Sequence, residues 1–218
     1  MTLHRRGMML AAAAAATAGL AAAQTPEPVG KVDRVQGQAQ VERGGQTVTL
    51  AAGGAVFEDD VITTGPESRV SLVFVDESTL TIGADGEMVI DSFVYNKAGQ
   101  RNSAIYNCAA GAFLTKTGGI GKANPEAVLV VTPVVTIGIR GTQFWGGRLE
   151  RDFEVLVLEG RVVVTNAAGS VELGPNQTTS VVAANAAPAP ASVMPDDRRT
   201  RRSRQCSSPT DDTRGSWG

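Results

Sequence analysis

The sequence predicts an all-β fold that is built from many short strands. The chain contains 25 glycines, only 5% of its residues are aromatic, and Val, Thr, Ala and Gly dominate its middle. This composition favours short strands and turns over helices. Between about residues 29 and 182, short β-prone segments alternate with Gly, Asn or Asp, and none carries a convincing helical stripe of apolar residues. These observations disfavour a helical bundle.

Alternation of apolar and polar residues identifies the clearest strands. Residues 69–75 place Val70, Leu72 and Phe74 on one face, and residues 78–83 alternate in the same way. Further strands are predicted, in chain order, at 38–42, 46–51, 61–64, 102–113 (a strand pair), 127–132, 134–140, 153–158, 161–165 and 177–182. Their spacing suits a sandwich, a barrel or a solenoid.

A weak internal repeat relates the two ends of this region at an offset of 123 residues. The matched pairs are Gly37 with Gly160, Ala39 with Val162, Val41 with Val164, Val48 with Val171, and Leu50 with Leu173. Each copy predicts a strand, a glycine, an alternating strand, a polar turn and another strand, which is one supersecondary unit used twice. Chance agreement in a Val- and Gly-rich chain is the alternative.

The first 23 residues predict a cleavable signal peptide. Arg5 and Arg6 precede an apolar run, and small residues end that run at Ala23, so we expect cleavage between Ala23 and Gln24. Two alternatives remain open for this segment: an uncleaved membrane anchor, and a twin-arginine export signal instead of a general one. The prediction is a periplasmic or secreted protein.

Charge and histidine content exclude several classes of function. The only histidine is His4, inside the predicted signal peptide, so the mature protein would lack the imidazole that Ser-His-Asp catalysis, Cys-His catalysis and His-based zinc sites require. After cleavage 18 basic and 22 acidic residues remain; residues 24–185 carry a net charge of −6 and residues 186–218 a net charge of +2. An acidic body argues against a nucleic-acid partner.

Composition also predicts how the chain is divided. We expect a signal peptide at 1–23, a short linker at 24–28, a β domain at 29–184, and an Ala/Pro linker followed by a disordered Arg-rich tail at 185–218. The tail carries a cluster of five arginines, Arg198, Arg199, Arg201, Arg202 and Arg204. These arginines are candidates for contact with anionic envelope polymers or lipid headgroups, or they form a solvated, protease-sensitive tail.

Two blocks of sequence, together covering about residues 29–182, resemble the FecR-domain family. The most specific strings are Thr-Pro at 132–133 with Gly-x-Arg-Gly-Thr-x-Phe at 138–144, and Leu-Glu-Gly-x-Val at 158–162. The matching motif residues, which we expect to be mainly structural, are Thr132, Pro133, Gly138, Arg140, Gly141, Thr142, Phe144, Glu159 and Gly160. The chain departs from the family at Glu77, where the family usually has Gly, and at Asn176, where Gly is common.

The resemblance implies an all-β, twisted, solenoid-like module of many short strands on the outer side of the cytoplasmic membrane. In the regulators of the family, this module follows an anti-sigma segment and a membrane span and precedes a further small domain, and we expect this chain to lack those parts. The family therefore transfers the fold better than it transfers iron regulation. We expect a non-enzymatic binding or scaffolding module of the cell envelope, without a cofactor, whose partner is a protein or a polysaccharide. The alternatives are a signalling component that works with a separate membrane or anti-sigma protein, and a carboxylate-dependent glycan hydrolase.

Four further features have alternative interpretations. Arg140 is either an anion clamp for a ligand or an arginine paired within the fold. Acidic residues at Glu58, Asp59, Asp60, Asp76, Glu77, Asp85 and Glu87 suggest surface turns, and alternatively a calcium site or an acid/base pair. Residues 118–123 fail the phosphate-loop pattern and predict a flexible loop. Cys108 and Cys206 either pair with each other, stay free or pair between molecules.

Overall fold

A computed structural model of the chain describes residues 26–98, 101–148 and 152–206. The predicted all-β class is confirmed, because sixteen mostly short strands form one curled, half-barrel sheet and the described residues add two helices. The strands are β1 Gly30–Gln36, β2 Ala39–Arg43, β3 Gln46–Thr49, β4 Ala55–Val56, β5 Val61–Thr64, β6 Arg69–Phe74, β7 Thr79–Ile82, β8 Glu87–Val94, β9 Ser103–Ala110, β10 Ala112–Lys116, β11 Val128–Val131, β12 Thr136–Arg148, β13 Phe153–Asn166, β14 Gly169–Leu173, β15 Gln177–Val181 and β16 Ser192–Val193. The helices are α1 Gly119–Ala123 and α2 Asp196–Cys206.

Twelve of the sixteen strands form one continuous hydrogen-bonded path, and the other four attach to it as a branch. Its order is β3-β2-β5-β8-β9-β11-β12-β10-β7-β6-β1-β4, and β13 branches from it by pairing with β12, β14 and β15. Strands β9 and β11 run parallel, whereas the other described ladders are antiparallel. The long β12–β13 ladder therefore joins the main path to the C-terminal strands.

The predicted strands differ from the structure mainly in length. The strands predicted at 153–158 and 161–165 are one strand, β13, and the strand predicted at 134–140 continues to Arg148 as β12. Strand β8 was not among the predicted strands, and the loop predicted at 118–123 contains the short helix α1.

The main core lies on the inner face of the curled sheet. The predicted alternation is confirmed in β6, where Val70, Leu72 and Phe74 are all buried. Aromatic rings join distant strands: Phe74 stacks on Phe93 with ring centroids 5.0 Å apart, and a second aromatic pair, Phe113 and Phe144, meets edge to face. Burial of such apolar area is the dominant stabilising contribution to a fold of this kind.

A second apolar cluster lies on the outer face of β10, β12 and β13. Successive residues of a strand point to opposite faces, so Phe144 belongs to the inner core while its neighbour Trp145 belongs to this outer cluster. The outer cluster consists of Ala112, Trp145, Leu156, Met194 and Cys206. These three strands are therefore buried on both faces.

The C-terminal segment provides the cover for this outer cluster. The linker and disordered tail predicted at 185–218 include, among the described residues, the strand β16, which pairs with β15, and the helix α2, which lies against the sheet. Met194, just before α2, and Cys206, at the end of α2, are both buried. A helix this polar contributes few apolar contacts, which is why composition alone predicted disorder. The predicted signal peptide and residues 207–218 lie outside the described residues.

The internal repeat has the same hairpin geometry in both copies. Val41 lies opposite Val48 in the β2–β3 hairpin, and Val164 lies opposite Val171 in the β13–β14 hairpin, at the same offset of 123 residues. The other paired positions of the two hairpins match at this offset as well. The prediction of one supersecondary unit used twice is therefore confirmed.

The β12–β13 ladder contains a bulge at which two backbones come into close approach. Gly160 has a φ of +76° and Gly141 a φ of +55°, both in the left-handed region. A Cβ on Gly160 would overlap the carbonyl oxygen of Gly141 and lie 2.9 Å from the Cα of Thr142, whereas a Cβ on Gly141 would meet nothing within 4 Å. Only Gly160 is therefore restricted by both conformation and space.

This asymmetry predicts unequal effects of two alanine substitutions. Gly160→Ala should lower the free energy of unfolding by about 2–5 kcal/mol, because backbone strain and overpacking add together. Gly141→Ala should lower it by about 1–2 kcal/mol, from backbone strain alone. Urea unfolding of both variants and the wild type measures the difference, and equal losses would contradict the close approach at Gly160.

Candidate functional site

The Thr-Pro part of the family motif closes a turn. The hydroxyl oxygen of Thr132 accepts hydrogen bonds from the backbone N–H groups of Val134 (3.3 Å) and Val135 (3.0 Å), and the hydroxyl donates to the carbonyl of Val135. Pro133 is exposed at the corner of this turn. The turn reverses the chain between β11 and β12, so these side chains position strands.

The second part of the motif fixes the β12–β13 bulge. Thr142 is buried; its hydroxyl donates to the carbonyl of Glu159, and its N–H donates to the hydroxyl of Thr117 (2.9 Å). Phe144 is buried in the inner core, whereas Glu159 itself is exposed. These positions of the second part of the motif thus surround one backbone junction. Among the described residues they bring no cluster of reactive side chains together there.

Arg140 lies on the surface beside a single acid. Its guanidinium is 3.7 Å from a carboxylate oxygen of Glu126, and the side chains are 51% and 82% exposed. Exposed pairs of this kind contribute little to stability. A Cβ on Gly138, two residues earlier on β12, would make only ordinary contacts, at 3.9 Å from Leu129 and from the carbonyl of Val163. This arrangement is a loose pair within the fold.

Asp60 is a buried carboxylate that forms an ion pair with the more exposed Arg43. Its two carboxylate oxygens accept hydrogen bonds from Nε (2.6 Å) and a terminal nitrogen (2.7 Å) of Arg43, and one of them also accepts the N–H of Phe57 (2.8 Å). The guanidinium lies over the Phe57 ring, 4.2 Å from its centroid. The hydrogen bond that Arg43 donates to Asp60 raises the pKa of Arg43 above its ordinary value. Asp60 therefore ties β2 to the start of β5.

Asp76 organises a second buried network around α1. One carboxylate oxygen accepts the N–H (2.9 Å) and the hydroxyl (2.5 Å) of Ser78, and the other accepts the N–H of Ile120 (3.1 Å). Tyr106 lies beside this network, and its burial raises the pKa of the phenol. All the polar atoms of Asp76 are thus used to hold a turn and a helix start.

The remaining acidic turns are separate from one another. Asp59, Glu77 and Asp85 are exposed and have φ values of +65°, +67° and +50°. Within the described residues, no group of three or more His, Cys, Asp or Glu side chains is placed to hold a metal ion. Asp59, Glu77 and Asp85 therefore lie as exposed residues of surface turns.

Left-handed conformations explain the two departures from the family pattern. Glu77 stands where the family usually has Gly, and Asn176 stands where Gly is common; both have a positive φ, +67° and +61°. Asn tolerates this region better than Glu does, because its short side chain can hydrogen-bond locally. Glu77 is therefore the more strained of the two.

The two cysteines are separate buried thiols. Cys108 and Cys206 are both free and buried in the described part of the chain. Burial raises the pKa of each thiol from about 9 to about 12. Because the folded state holds these protons more tightly, their contribution to stability is complete below pH 9 and is lost as the pH rises towards 12. At neutral pH both behave as small apolar side chains.

The arginines of the predicted anionic-surface contact differ in their surroundings. Arg202 is only 7% exposed and forms an ion pair with Glu154, and Arg199 binds Asn176 and Asp196. These two side chains are therefore engaged within the fold. Arg198 and Arg201 are exposed, and the side chain of Arg204 lies outside the described residues.

The structure contains a surface groove that sequence reasoning missed. It lies between β15, β16, the preceding linker and α2, and its volume is about 190 Å³. Its lining residues are Glu154, Thr178, Thr179, Ser180, Ala189, Pro190, Ser192, Met194, Arg198 and Arg202. The strand at 177–182 and the arginine cluster were the only sequence signals, and neither indicated that the two would meet.

Comparisons with known proteins support the fold. Residues 60–163 match the family model described as "FecR protein". A 2.50 Å crystal structure described as a candidate anti-sigma factor from Parabacteroides distasonis is 14% identical, with a TM-score of 0.50, and the alignment covers 64% of this chain and 62% of that one. A second crystal structure with the same description, at 1.65 Å, has a TM-score of 0.49, 14% identity and the same coverage.

These matches are partial. The chain spans less than two thirds of the length of both crystal structures. No curated protein sequence matches the chain. None of the helices in residues 26–98, 101–148 and 152–206 is long and apolar enough to cross a membrane.

Burial separates four aspartates that look alike in the sequence. Asp60→Asn and Asp76→Asn should each lower the free energy of unfolding by about 1.5–3 kcal/mol, because each disturbs hydrogen bonds to a buried carboxylate. Asp59→Asn and Asp85→Asn should change it by less than about 0.5 kcal/mol, since both residues are exposed and Asn tolerates a positive φ. Urea unfolding of the four variants checks this order. Equal effects in both pairs would contradict the two networks.

The strain at Glu77 predicts a stabilising substitution. Glu77→Gly should raise the free energy of unfolding by about 0.5–1 kcal/mol, because relief of the left-handed conformation exceeds the extra entropy of a glycine in the unfolded chain. Glu77→Ala is the control, since it removes the side chain but keeps the strain, and it should be nearly neutral. Thermal unfolding measures both, and a stabilising alanine would show that the side chain, not the backbone, is responsible.

Proposed function

Residues 60–163 form a FecR domain, and from this premise we propose that the chain is a non-enzymatic binding module of the cell envelope. In this proposal it takes part in a signalling assembly by pairing its free sheet edge with an extended segment of a partner protein. The FecR family supports a role in signalling at the envelope. The description of the structural neighbour with a TM-score of 0.50 as an anti-sigma factor points in the same direction.

The buried carboxylates form hydrogen bonds within the fold, and this supports a role in binding instead of catalysis. The two buried carboxylates, Asp60 and Asp76, are satisfied by hydrogen bonds within the fold. Catalytic carboxylates instead need access to substrate and a partner at a defined separation. The exposed acids lie on separate turns, and the predicted mature chain has no histidine.

One observation carries the proposal, namely the exposed edge strand β3. All four of its residues, Gln46–Thr49, are exposed, and among the strands that the structure describes β3 pairs only with β2. The strand has no charge and no proline, the features by which proteins usually protect an edge. Val48 is 54% exposed. An edge of this kind is suited to β-strand addition.

Hairpin geometry shows which backbone groups are available. Arg43 and Gln46 flank the two-residue turn and lie opposite each other, so they exchange hydrogen bonds with one another. Because hydrogen-bonded and non-hydrogen-bonded pairs alternate along the ladder, Thr47 and Thr49 direct their N–H and C=O groups away from β2. These groups are the ones that a partner strand would meet.

The second copy of the hairpin shows what a covered edge looks like. Its edge strand is β14, which corresponds to β3 in the repeat. The side-chain amide of Asn166 donates to the carbonyl of Ala186 (2.6 Å), and a Cβ on Gly169 would lie 3.4 Å from Ala187. The C-terminal linker thus lies against the start of β14, whereas β3 has no such cover among the described residues.

Photo-crosslinking at the edge tests the proposal. A photoreactive amino acid replaces Val48 in three versions of the protein, one with no other change, one with Thr47→Pro and one with Ser170→Pro. Proline at either site removes an outward N–H and is tolerated on an edge strand. We expect defined protein adducts in the first and third versions and their loss with Thr47→Pro. Ser170 is the matched control, because it occupies the position of Thr47 in the second copy.

The same material tests export. The intact mass of protein from the envelope fraction should correspond to a chain that begins at Gln24. Adducts that persist with Thr47→Pro would contradict pairing at β3, and a complete absence of adducts would contradict a binding role. A mass that includes residues 1–23 would overturn the proposed signal-peptide cleavage.

A further inference from the structure

The groove beside α2 has the size of a small polar ligand. Its volume of about 190 Å³ corresponds to roughly six water molecules, and it exceeds the roughly 150 Å³ cavity that accepts a benzene ring. A single six-membered ring with its substituents therefore matches this space. The groove is open on one side, so such a ring can enter without a change of fold.

The charges in the groove leave one positive charge unbalanced. Arg202 is 7% exposed and is paired with Glu154, whose side chain is 25% exposed. Arg198 also lines the groove, and its guanidinium makes no ion pair among the described residues. The Nε of Arg202 is buried and has no hydrogen-bond partner within the described part of the chain.

Hydroxyl groups line the rest of the groove. The hydroxyls of Thr178 and Thr179 donate to the carbonyls of Val155 (2.9 Å) and Ala189 (2.6 Å), which leaves their oxygen lone pairs as acceptors. The hydroxyls of Ser180 and Ser192 make no hydrogen bond among the described residues. Pro190 and Met194 add apolar surface. This mixture of hydroxyls, one cation and an apolar wall resembles the requirements of a sugar ring.

We infer that this groove binds a hexuronate, a sugar ring that carries one carboxylate. The carboxylate would pair with the guanidinium of Arg198, and the ring hydroxyls would bind Ser180, Ser192 and the exposed oxygen of Glu154. One negative charge balances the groove, whereas a phosphate monoester would bring nearly two. A neutral hexose would leave Arg198 without a partner. The inference goes beyond the proposed function, since the groove and the β3 edge are different sites.

Binding of three small probes tests this inference. Amide signals of the ¹⁵N-labelled exported protein are recorded with galacturonate, with galactose and with acetate. Galactose keeps the ring without the carboxylate, and acetate keeps the carboxylate without the ring. We expect galacturonate to shift the signals of Thr178–Ser180 and Ser192 with a dissociation constant on the order of 1 mM, the range for a ligand of this size. Galactose and acetate should bind at least about tenfold more weakly.

Two arginines of α2 provide a matched pair of variants. Arg198→Ala should raise the dissociation constant for galacturonate at least about tenfold, because the charged partner of the carboxylate is lost. Arg201→Ala should change it less than about twofold, since Arg201 is exposed on the same helix but does not line the groove. Both residues lie on the surface, so unfolding curves should remain unchanged.

The outcomes separate the groove from nonspecific attraction and from the β3 edge. Three results would each overturn the inference. They are an affinity for acetate equal to that for galacturonate, equal effects of the two arginine variants, and unchanged groove signals. Trigalacturonate shows whether the natural ligand is a polysaccharide or a free sugar acid. Tighter binding than galacturonate indicates an acidic polysaccharide, and weaker binding indicates the free sugar acid. Thr47→Pro should leave galacturonate binding intact, so the two proposals can fail separately.

Discussion

The curled sheet depends on the close approach of Gly160 to the backbone of Gly141 and Thr142. At this point the register shifts first on β12 and then on β13, and the ladder continues on both sides. On one side β13 also pairs with β14, and on the other it also pairs with β15. A side chain at Gly160 would force the two strands apart. The C-terminal strands, the groove and the cover of the outer cluster all attach to the sheet through this ladder.

Half-buried strands could be predicted from the sequence because their period is two. The prediction for β5 has the same bounds as the structure, and the repeated hairpins have the predicted register. Strand β8 was missed because its register shifts between Ile90 and Ser92, so that its buried residues Met88, Ile90 and Phe93 do not alternate regularly. The ends of the strands that are buried on both faces were hard to predict for a related reason. Apolar residues such as Trp145 and Leu156 stand where a half-buried strand would have polar ones, so the alternation is lost.

The candidate sites were less predictable than the fold, because residues of one type take different roles through long-range contacts. Asp59 and Asp60 are neighbours in sequence, but only Asp60 meets Arg43 across the hairpin. Arg198 and Arg202 lie one helical turn apart, yet one is exposed to solvent and the other is buried against Glu154. The groove requires the linker, β15 and α2 to come together, and local sequence patterns carry no information about that approach.

The helix α2 joins the sheet through a few contacts, and this has a consequence for sequence drift. Most of its surface faces water and is free to exchange one polar residue for another. Arg202 and Cys206 of the helix, and Met194 just before it, are not free to change, because they are buried against Glu154 and in the outer cluster. Evolutionary comparison of such tails by overall similarity would rate them as nearly unconstrained. A pattern of three fixed positions within a variable, arginine-rich background would instead identify the relatives whose tails fold back in the same way.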